Sequence, residues 1–255
     1  MKNGVGVPQN IVLFGGTSEI GQAVVRELVR PGVARVSLVC RDVDRGAEFA
    51  EELTAVGGDL RADVVRFDAA DAASMVDLVG EVSSGGGDID VAVVAQGVLN
   101  EGVDYYADPS AVGAVMDVNA TATMALLYAL AARMRSQGYG RIVLLSSVAG
   151  VRVRKGNAVY GASKAAVDAF ALALDHDLQG TGVSVLIVRP GFVESKMTTG
   201  MKKAPFATTP SAVAKVVAPA VNGSASVVYA PGILRWVFGI FRLLPQAVWR
   251  RLPLN

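Results

Sequence analysis

The feature that most constrains the fold is a glycine-rich turn that joins the first apolar run directly to a helical segment. Asn10–Phe14 is a short apolar run, and GGTSEIG follows it without a spacer. Gly15 permits a tight turn, Gly21 permits a helix to pack closely on a strand, and the free N–H groups that open the helix suit a pyrophosphate. An ordinary β–α turn can look the same, so its position in the sheet decides its meaning.

Short apolar runs alternate with helix-length segments along the chain. The predicted strands are Asn10–Phe14, Arg35–Cys40, Val64–Phe67, Ile89–Ala95, Arg141–Ser146 and Val183–Val188, and the predicted helices are Glu19–Arg30, Asp44–Val56, Asp71–Ser83, Ser110–Gln137 and Asn157–Gln179. This alternation is typical of a parallel sheet with helices on both faces. We predict a Rossmann-like, doubly wound, three-layer α/β domain over residues 1–230, followed by a basic, apolar helical extension over residues 231–255.

Charged residues at the ends of the second and third strands suit the adenosine part of a dinucleotide. At the end of the second strand, Asp42 would hold a ribose 2′-hydroxyl, whereas Arg41 would hold a 2′-phosphate. The sequence therefore leaves NADH and NADPH both open. Asp68 ends the third strand, where it can contact the adenine or simply cap the next helix.

Composition excludes several kinds of active site. The chain has one cysteine, Cys40, and one histidine, His176, so a multi-histidine or thiolate metal site is not expected. We interpret Cys40 as a small buried hydrophobe and His176 as a surface or interface residue. An apolar content of 52% with 18% charged residues excludes an intrinsically disordered chain.

A serine, a tyrosine and a lysine form the most informative pattern for chemistry. Tyr160 and Lys164 are four residues apart in a helical segment, so they share a face, and Ser147 ends the fifth strand. An adjacent ammonium, together with a cationic oxidised nicotinamide, stabilises a phenolate and lowers the pKa of the phenol from its usual value near 10. Tyr160 could then exchange a proton with a substrate oxygen that Ser147 holds, without histidine or metal.

The chain resembles the short-chain dehydrogenase/reductase family over roughly residues 10–200, through GGTSEIG, Asp68, MDVNATAT, SSVAG, YGASK and RPGFVESKM. The resemblance implies a seven-stranded sheet that ends with Ser226–Ala230. It implies a catalytic tetrad of Asn119, Ser147, Tyr160 and Lys164, in which Asn119 holds a water for proton relay and Lys164 also holds the nicotinamide ribose. The cofactor contacts it implies, together with those argued above, are Gly15, Thr17, Ser18, Glu19, Ile20, Gly21, Arg41, Asp42, Asp68, Ala95, Gly97, Tyr160, Lys164, Pro190, Gly191, Val193 and Ser195.

Two positions depart from the family pattern. Glu19 stands where the family has the second turn glycine, which could alter the approach of the pyrophosphate. Ala95-Gln96-Gly97 replaces Asn-Ala-Gly after the fourth strand, which removes a side chain that normally steadies the central strands. Both departures bear on cofactor details more than on the tetrad.

A narrower resemblance runs nearly end to end, through GGDIDVAVVAQG, MKKAPF and the ending LPQAVWRRLPLN. It is to the subfamily formed by the reductase subunits of decaprenylphosphoryl-β-D-ribose 2′-epimerase. The resemblance implies reduction of a 2-keto lipid sugar, made by a flavin-dependent oxidase partner, to decaprenylphosphoryl arabinose for cell-wall arabinan. It favours NADH. The alternatives are reduction of another bulky apolar ketone, such as an acyl chain or sterol, and a non-catalytic cofactor-binding regulator.

The charge distribution is compatible with a lipid-phosphate substrate. Residues 195–255 contain eight basic residues and no acidic residue, although the net charge of the chain is only +1. The apolar 233–249 segment can lie in a membrane interface, or it can form a packing or dimer surface. Basic groups at Arg152, Arg154 and Lys155 and at Lys202-Lys203 could face a substrate phosphate or could be solvated.

No nucleic-acid partner is expected, because the basic residues lack the interleaved aromatic clusters of such proteins. Met1–Gln9 lacks the apolar segment of a secretory signal, and the apolar stretch 216–234 is interrupted by prolines and polar residues. We therefore expect a non-spanning protein, cytoplasmic or peripherally associated with a membrane.

Overall fold

The structure, a computed structural model, describes residues 7–56, 58–85, 87–100 and 102–251. Seven strands form one sheet in the order β3-β2-β1-β4-β5-β6-β7, and all neighbours are parallel. They are β1 Asn10–Phe14, β2 Arg35–Cys40, β3 Arg61–Arg66, β4 Val91–Val94, β5 Gly140–Leu145, β6 Val183–Pro190 and β7 Val227–Ala230. The predicted Rossmann-like sheet is confirmed. The strand order reverses between β1 and β4, where such sheets bind ligands.

Helices cover both faces of the sheet. They are α1 Glu19–Leu28, α2 Val43–Val56, α3 Met75–Ser84, α4 Ala111–Met116, α5 Ala122–Gln137, α6 Val148–Val151, α7 Ala158–Asp177, α8 Pro210–Val221, α9 Leu234–Leu243 and α10 Gln246–Trp249. One core packs α1, α2 and α8 on one face of the sheet, and the other packs α3, α5 and α7 on the opposite face. Because the central strands are buried on both faces, they are apolar throughout, which is why they could be recognised in the sequence.

Two strand predictions were wrong in their bounds. The third strand begins at Arg61 rather than at Val64, because β3 is an edge strand whose polar residues face solvent and pair with β2. Arg35 and Asp63 form an ion pair of 2.7 Å across those two strands. The fourth strand is shorter than the predicted Ile89–Ala95, since the Asp90 carboxylate accepts from the backbone N–H groups of Gln9 and Asn10.

Two helix predictions also needed correction. The segment predicted as Asp71–Ser83 begins its helix at Met75, because the Asp71 carboxylate accepts from the Ala73 N–H and forms a turn first. The segment predicted as Ser110–Gln137 contains a π-helical turn at Asp117–Thr121 between α4 and α5. Such turns often occur at functional sites.

Among the described residues, one helical stretch, 111–137, is long and apolar enough to cross a membrane, with a mean hydropathy of 1.4. Half of that window is buried in the protein, as in the core helix of a globular domain. The apolar stretch 216–234 is divided between α8, β7 and the start of α9. Residues 1–6 and 252–255 lie outside the described residues. The first range belongs to the segment predicted to lack a secretory signal, and the second belongs to the predicted C-terminal extension.

The C-terminal helices pack back onto the strand ends. Leu234 and Trp249 are buried, and a side chain on Gly191 would meet Leu234 at 2.6 Å. Arg152, just after α6, donates to the Leu244 carbonyl oxygen at 3.1 Å. These contacts place α9 beside the carboxyl ends of β5 and β6, where the predicted site lies.

Candidate active site

The glycine-rich turn forms the cradle that the sequence predicted. Gly15 has a φ of +87°, and a Cβ there would lie 2.8 Å from the Gln96 backbone nitrogen, so a side chain is excluded. The Ser18 hydroxyl caps α1 by accepting from the Gly21 N–H at 3.2 Å. A Cβ on Gly21 would lie 2.7 Å from Leu13, which accounts for the close packing of α1 on β1. The start of α1 therefore faces the switch in strand order, as a pyrophosphate site requires.

Glu19 connects this turn to the segment that follows β6. Its Oε2 accepts from the Lys196 backbone N–H at 2.5 Å, across 177 residues of sequence. An acidic side chain in the first turn of a helix also interacts favourably with the helix dipole. The departure from the family glycine thus places a link between the turn and the predicted nicotinamide segment, which begins at Pro190.

The residues predicted for the adenosine end lie at the ends of β2 and β3. Arg41 and Asp42 are both exposed, and the Asp42 carboxylate accepts from the Arg45 N–H at the start of α2. Asp68 is exposed, and its carboxylate accepts from the Ala70 N–H in a turn. Asp42 and Asp68 thus organise the local backbone, and the Arg41 side chain has no hydrogen bond or ion pair within the described part of the chain.

Asn119 is completely buried and lies in the π-helical turn. Its amide nitrogen donates to the Val98 carbonyl at 2.9 Å and to the Ser163 hydroxyl at 3.1 Å, and its amide oxygen accepts from the Val98 N–H at 2.8 Å. It therefore joins the segment after β4 to the helix that carries Tyr160. A Cβ on Gly97 would lie 3.2 Å from the Asn119 amide oxygen and 3.4 Å from Lys164 Nζ, so this position must stay small.

Gln96 corrects the expectation that the chain lacks a side chain to steady the central strands. It is buried, and its amide donates to the Thr123 hydroxyl at 3.2 Å. Thr123 in turn donates to the Val118 carbonyl at the π-helical turn. The end of β4 is therefore connected to α5 by the glutamine that follows Ala95.

The two serines after β5 have different partners. The Ser146 hydroxyl donates to Asp168 at 2.8 Å, beneath the site, and the Ser147 hydroxyl caps α6 and hydrogen-bonds to the Tyr160 phenol. The structure thus brings Ser147, the serine of the implied tetrad, to the tyrosine, and Ser146 lies beneath the site. A Cβ on Gly150 would lie 2.7 Å from the Lys164 backbone, so α6 touches α7 directly.

Tyr160 and Lys164 lie together on α7, where burial opposes the effect expected of the ammonium on the phenol. Burial raises the pKa of Tyr160, and the hydrogen bond with Ser147 lowers it by less. Lys164 Nζ lies 5.9 Å from the centre of the tyrosine ring and donates to the Leu145 carbonyl at 3.1 Å. Burial lowers the pKa of Lys164 to about 8, partly offset by the charge of Asp168. Desolvation in a packed site therefore dominates both pKa shifts.

Asp168 is a positioning residue that the sequence analysis missed. It lies one turn after Lys164 on α7, and its carboxylate accepts from Arg189 at 2.6 and 2.9 Å and from Ser146. Arg189 also donates to the Tyr229 hydroxyl at 2.7 Å. The spacing of four residues from Lys164 was a usable signal, but only the tertiary structure supplies the arginine partner.

A cavity of about 700 Å³ runs past these groups. The predicted site residues that line it are Ser18, Ile20, Ala95, Gly97, Ser147, Tyr160, Lys164, Pro190, Gly191, Val193 and Ser195. Those outside its lining are Gly15, Thr17, Glu19, Gly21, Arg41, Asp42, Asp68 and Asn119. The cavity therefore spans the nicotinamide end of the site, and most of its remaining wall is apolar. No cluster of three or more metal-ligating side chains occurs within the described ranges.

Residues 9–205 match the family model described as short chain dehydrogenase. The chain belongs to the short-chain dehydrogenase/reductase family. A Mycobacterium tuberculosis relative, described as an uncharacterized oxidoreductase, is 42% identical over 243 residues, which cover 95% of this chain and 96% of the relative. This dehydrogenase/reductase is therefore an NAD(P)-dependent oxidoreductase that acts on CH–OH and C=O groups, and the non-catalytic alternative is set aside.

Solved structures of other dehydrogenases and reductases have the same fold as this chain. A short chain dehydrogenase from Burkholderia cenocepacia in complex with NADP has a TM-score of 0.76 at 24% identity, covering 96% of this chain and 97% of its own. A variant of actinorhodin polyketide ketoreductase with NADPH has a TM-score of 0.76 at 25% identity, covering 89% and 97%. The dehydrogenase/reductase shares their fold over almost its whole length.

The residues of this enzyme fit a nicotinamide dinucleotide. The Gly15 cradle and the open start of α1 suit the pyrophosphate, and Gly97 leaves space beside Asn119 and Lys164. The bound nicotinamide would supply or accept the hydride. In such a complex Tyr160 would hold the proton that a substrate oxygen gains or loses, Ser147 would orient that oxygen, and Lys164 would provide a neighbouring positive charge.

Proposed function

We propose that the enzyme reduces the 2-keto group of decaprenylphosphoryl-2-keto-erythro-pentofuranose to give decaprenylphosphoryl-β-D-arabinofuranose for cell-wall arabinan. The observation that carries this proposal is the apolar wall of the active-site cavity. Beyond Tyr160 the wall is built by Phe192, Phe238, Phe241 and Trp249, from the loop after β6 and from α9 and α10. A substrate with a polar reacting end and a long apolar chain matches such a cavity.

The reaction would use two groups of the chain at the ketone. The ketone oxygen would accept a hydrogen bond from Ser147 and the proton of Tyr160, and a bound dihydronicotinamide would supply the hydride to the carbonyl carbon. A ketone, a reduced nicotinamide and a proton thus become a secondary alcohol and an oxidised nicotinamide. A flavin-dependent oxidase that forms the ketone is the implied partner.

We further propose that the outer face of α9 contacts the lipid surface from which the substrate enters. Its apolar side chains Trp236, Ile240 and Leu243 are 68%, 62% and 84% exposed, whereas the inner side chains of the same helix line the cavity. Arg235 lies over the Trp236 ring at 5.8 Å, and the sequence of α9 and α10 contains no acidic residue. This charge pattern is complementary to an anionic membrane surface. A homo-oligomer that covers the same face is the competing occupant.

The experiment is cofactor consumption by the purified enzyme with the 2-keto lipid formed in situ by a flavin oxidase. NADH and NADPH are run side by side, and Tyr160→Phe serves as the control. Formation of the arabinosyl lipid, with loss of consumption in the variant, is the expected result. Proven ketone and bound cofactor with no consumption would refute this substrate.

Reduction of an acyl-type ketone is the second candidate. It is favoured by the similarity to a polyketide ketoreductase at 25% identity, and the same apolar wall would accept an acyl chain. A panel of β-keto thioesters distinguishes the two. Turnover of the thioesters at rates above that of the keto lipid would select the acyl substrate.

A further inference from the structure

The basic residues near the cavity differ in their contacts: some are held in structural hydrogen bonds, some lie on the surface, and some line the cavity. Arg152 is committed to structure, because its guanidinium donates to the Leu244 carbonyl and to Gln246 and lies 5.1 Å from the Trp249 ring. It therefore holds the C-terminal helices against α6. Such a cation has little freedom to bind a ligand.

The lysine pair after the nicotinamide segment is also unsuited to the cavity. Lys203 donates to Glu194 at 2.7 Å and is exposed, and Lys202 is exposed. Neither residue lines the cavity. The sequence offered both lysines as phosphate contacts, and the structure places both on the surface.

In the part of the chain that the structure describes, the cations that line the cavity are Arg154, Lys155 and Lys164. Arg154 is half-buried, and over the described ranges its side chain has no hydrogen bond, ion pair or ring contact. Among the described residues that line the cavity, Asp104 is the one with a carboxylate, and it is exposed. An unpaired, partly desolvated guanidinium beside an apolar wall is the expected partner of a ligand phosphate.

A buried acceptor lies close to Arg154 in the sequence and in the same cavity. The amide oxygen of Asn157 is inaccessible to solvent and has no hydrogen-bond partner. Asn157 also lines the cavity, between the segment that carries Arg154 and the start of α7. A buried acceptor without a donor is costly, and a turn of the Asn157 amide toward the cavity would let a hydroxyl group of a bound ligand satisfy it.

We infer that Arg154 and Asn157 form a subsite for a phosphorylated sugar, in which Arg154 binds the lipid phosphate and Asn157 accepts from a sugar hydroxyl. The inference deepens the proposed function and rests on it. The polyprenyl chain then lies along Phe238, Phe241 and Trp249, and the reacting carbon faces Tyr160. Arg154 is the residue that selects a lipid phosphate over a neutral apolar ketone.

The test is a binding measurement, so it does not depend on turnover. Trp249 is buried and lines the cavity, and its fluorescence reports on occupancy once the exposed Trp236 is replaced by phenylalanine. In this background, farnesyl phosphate, farnesol and inorganic phosphate are titrated into Arg154→Gln. The matched control is Arg242→Gln, a nearby exposed arginine outside the cavity.

Arg154→Gln is expected to weaken farnesyl phosphate about 10- to 100-fold, the effect of one charged hydrogen bond, and to leave farnesol unchanged. Arg242→Gln should leave both ligands unchanged, and inorganic phosphate should not compete. The inference would be overturned if Arg154→Gln weakened farnesol binding as much as farnesyl phosphate binding, or if it changed neither. It would also be overturned if Arg242→Gln weakened farnesyl phosphate binding equally, or if inorganic phosphate alone competed. If the keto lipid fails as a substrate while this selectivity holds, only the proposed reaction is wrong.

Asn157→Ala provides the second arm, with arabinofuranose 1-phosphate as competitor against farnesyl phosphate. The sugar phosphate is expected to compete in the parent protein and to lose affinity in this variant. Unchanged competition would overturn the role of Asn157. Circular dichroism of each variant establishes that the fold is retained.

Discussion

Replacing the carboxylate of Asp168 by an amide tests how the fold sustains the charge of Lys164. Asp168 and Arg189 are 9% and 12% exposed, and their side chains are joined by two hydrogen bonds. Asp168→Asn keeps the size of the side chain but leaves the guanidinium buried without a counter-charge. Breaking a buried pair in this way costs about 3–5 kcal/mol of the free energy of unfolding. Urea denaturation measures that loss.

The same substitution changes the pH dependence of reduction. Asp168 raises the pKa of Lys164, against burial, to give a value of about 8. The ammonium is the form that supports proton donation by Tyr160, so kcat/KM is retained below this pKa and is lost as the pH rises through it. Without the carboxylate the pKa of Lys164 falls further, and the alkaline limb of the profile moves to lower pH.

Asp175→Asn is the matched control on the same helix. Asp175 accepts from the Val185 N–H and the Ser226 hydroxyl, so its loss affects stability without touching Lys164. The control should leave the alkaline limb in place. An unmoved limb in Asp168→Asn would refute the link to Lys164, and a stability loss below about 1 kcal/mol would refute the buried-pair argument.

Four further predictions follow from single contacts. Tyr160→Phe should lower turnover about 10²- to 10⁴-fold with nucleotide affinity unchanged, and turnover close to that of the wild type would contradict its role. Arg41→Gln should weaken NADPH about tenfold or more while sparing NADH, provided that Arg41 binds the 2′-phosphate; equal loss of both in titrations would exclude this. Gly150→Ala should destabilise the protein by about 1–3 kcal/mol and lower turnover, because its Cβ would press on the Lys164 backbone; an unchanged melting temperature would show that α6 can shift. Leu243→Ser should reduce sedimentation of the protein with phosphatidylglycerol vesicles, whereas Val56→Ser, at a side chain that is equally exposed at 84%, should not. If both variants still bind vesicles, or if Leu243→Ser abolishes a dimer, the outer face of α9 contacts a protein partner instead.

The sequence alone was sufficient for the central strands and for placing Tyr160 and Lys164 on one helix face, since both depend on local patterns. Strands buried on two faces are apolar throughout, as in Ile11–Leu13, and the spacing from Tyr160 to Lys164 defines a helix face whatever surrounds it. The edge strand was placed less well, because Arg61 and Asp63 are polar residues that become strand only by pairing with β2. Local composition carries no sign of that pairing.

Contacts between distant segments were decided by the tertiary structure. Hydrogen bonds between residues 21 to 94 positions apart hold Asn119 in its π-helical turn, join Gln96 to Thr123 and engage Arg152. The last of these contacts distinguishes Arg152 from Arg154. The burial that raises the pKa of Tyr160 also belongs to the packed chain, since the neighbouring ammonium was visible in the sequence and the burial was not. Helix and strand periodicity report which face of an element is apolar, whereas desolvation and the choice of hydrogen-bond partner are properties of the packed chain.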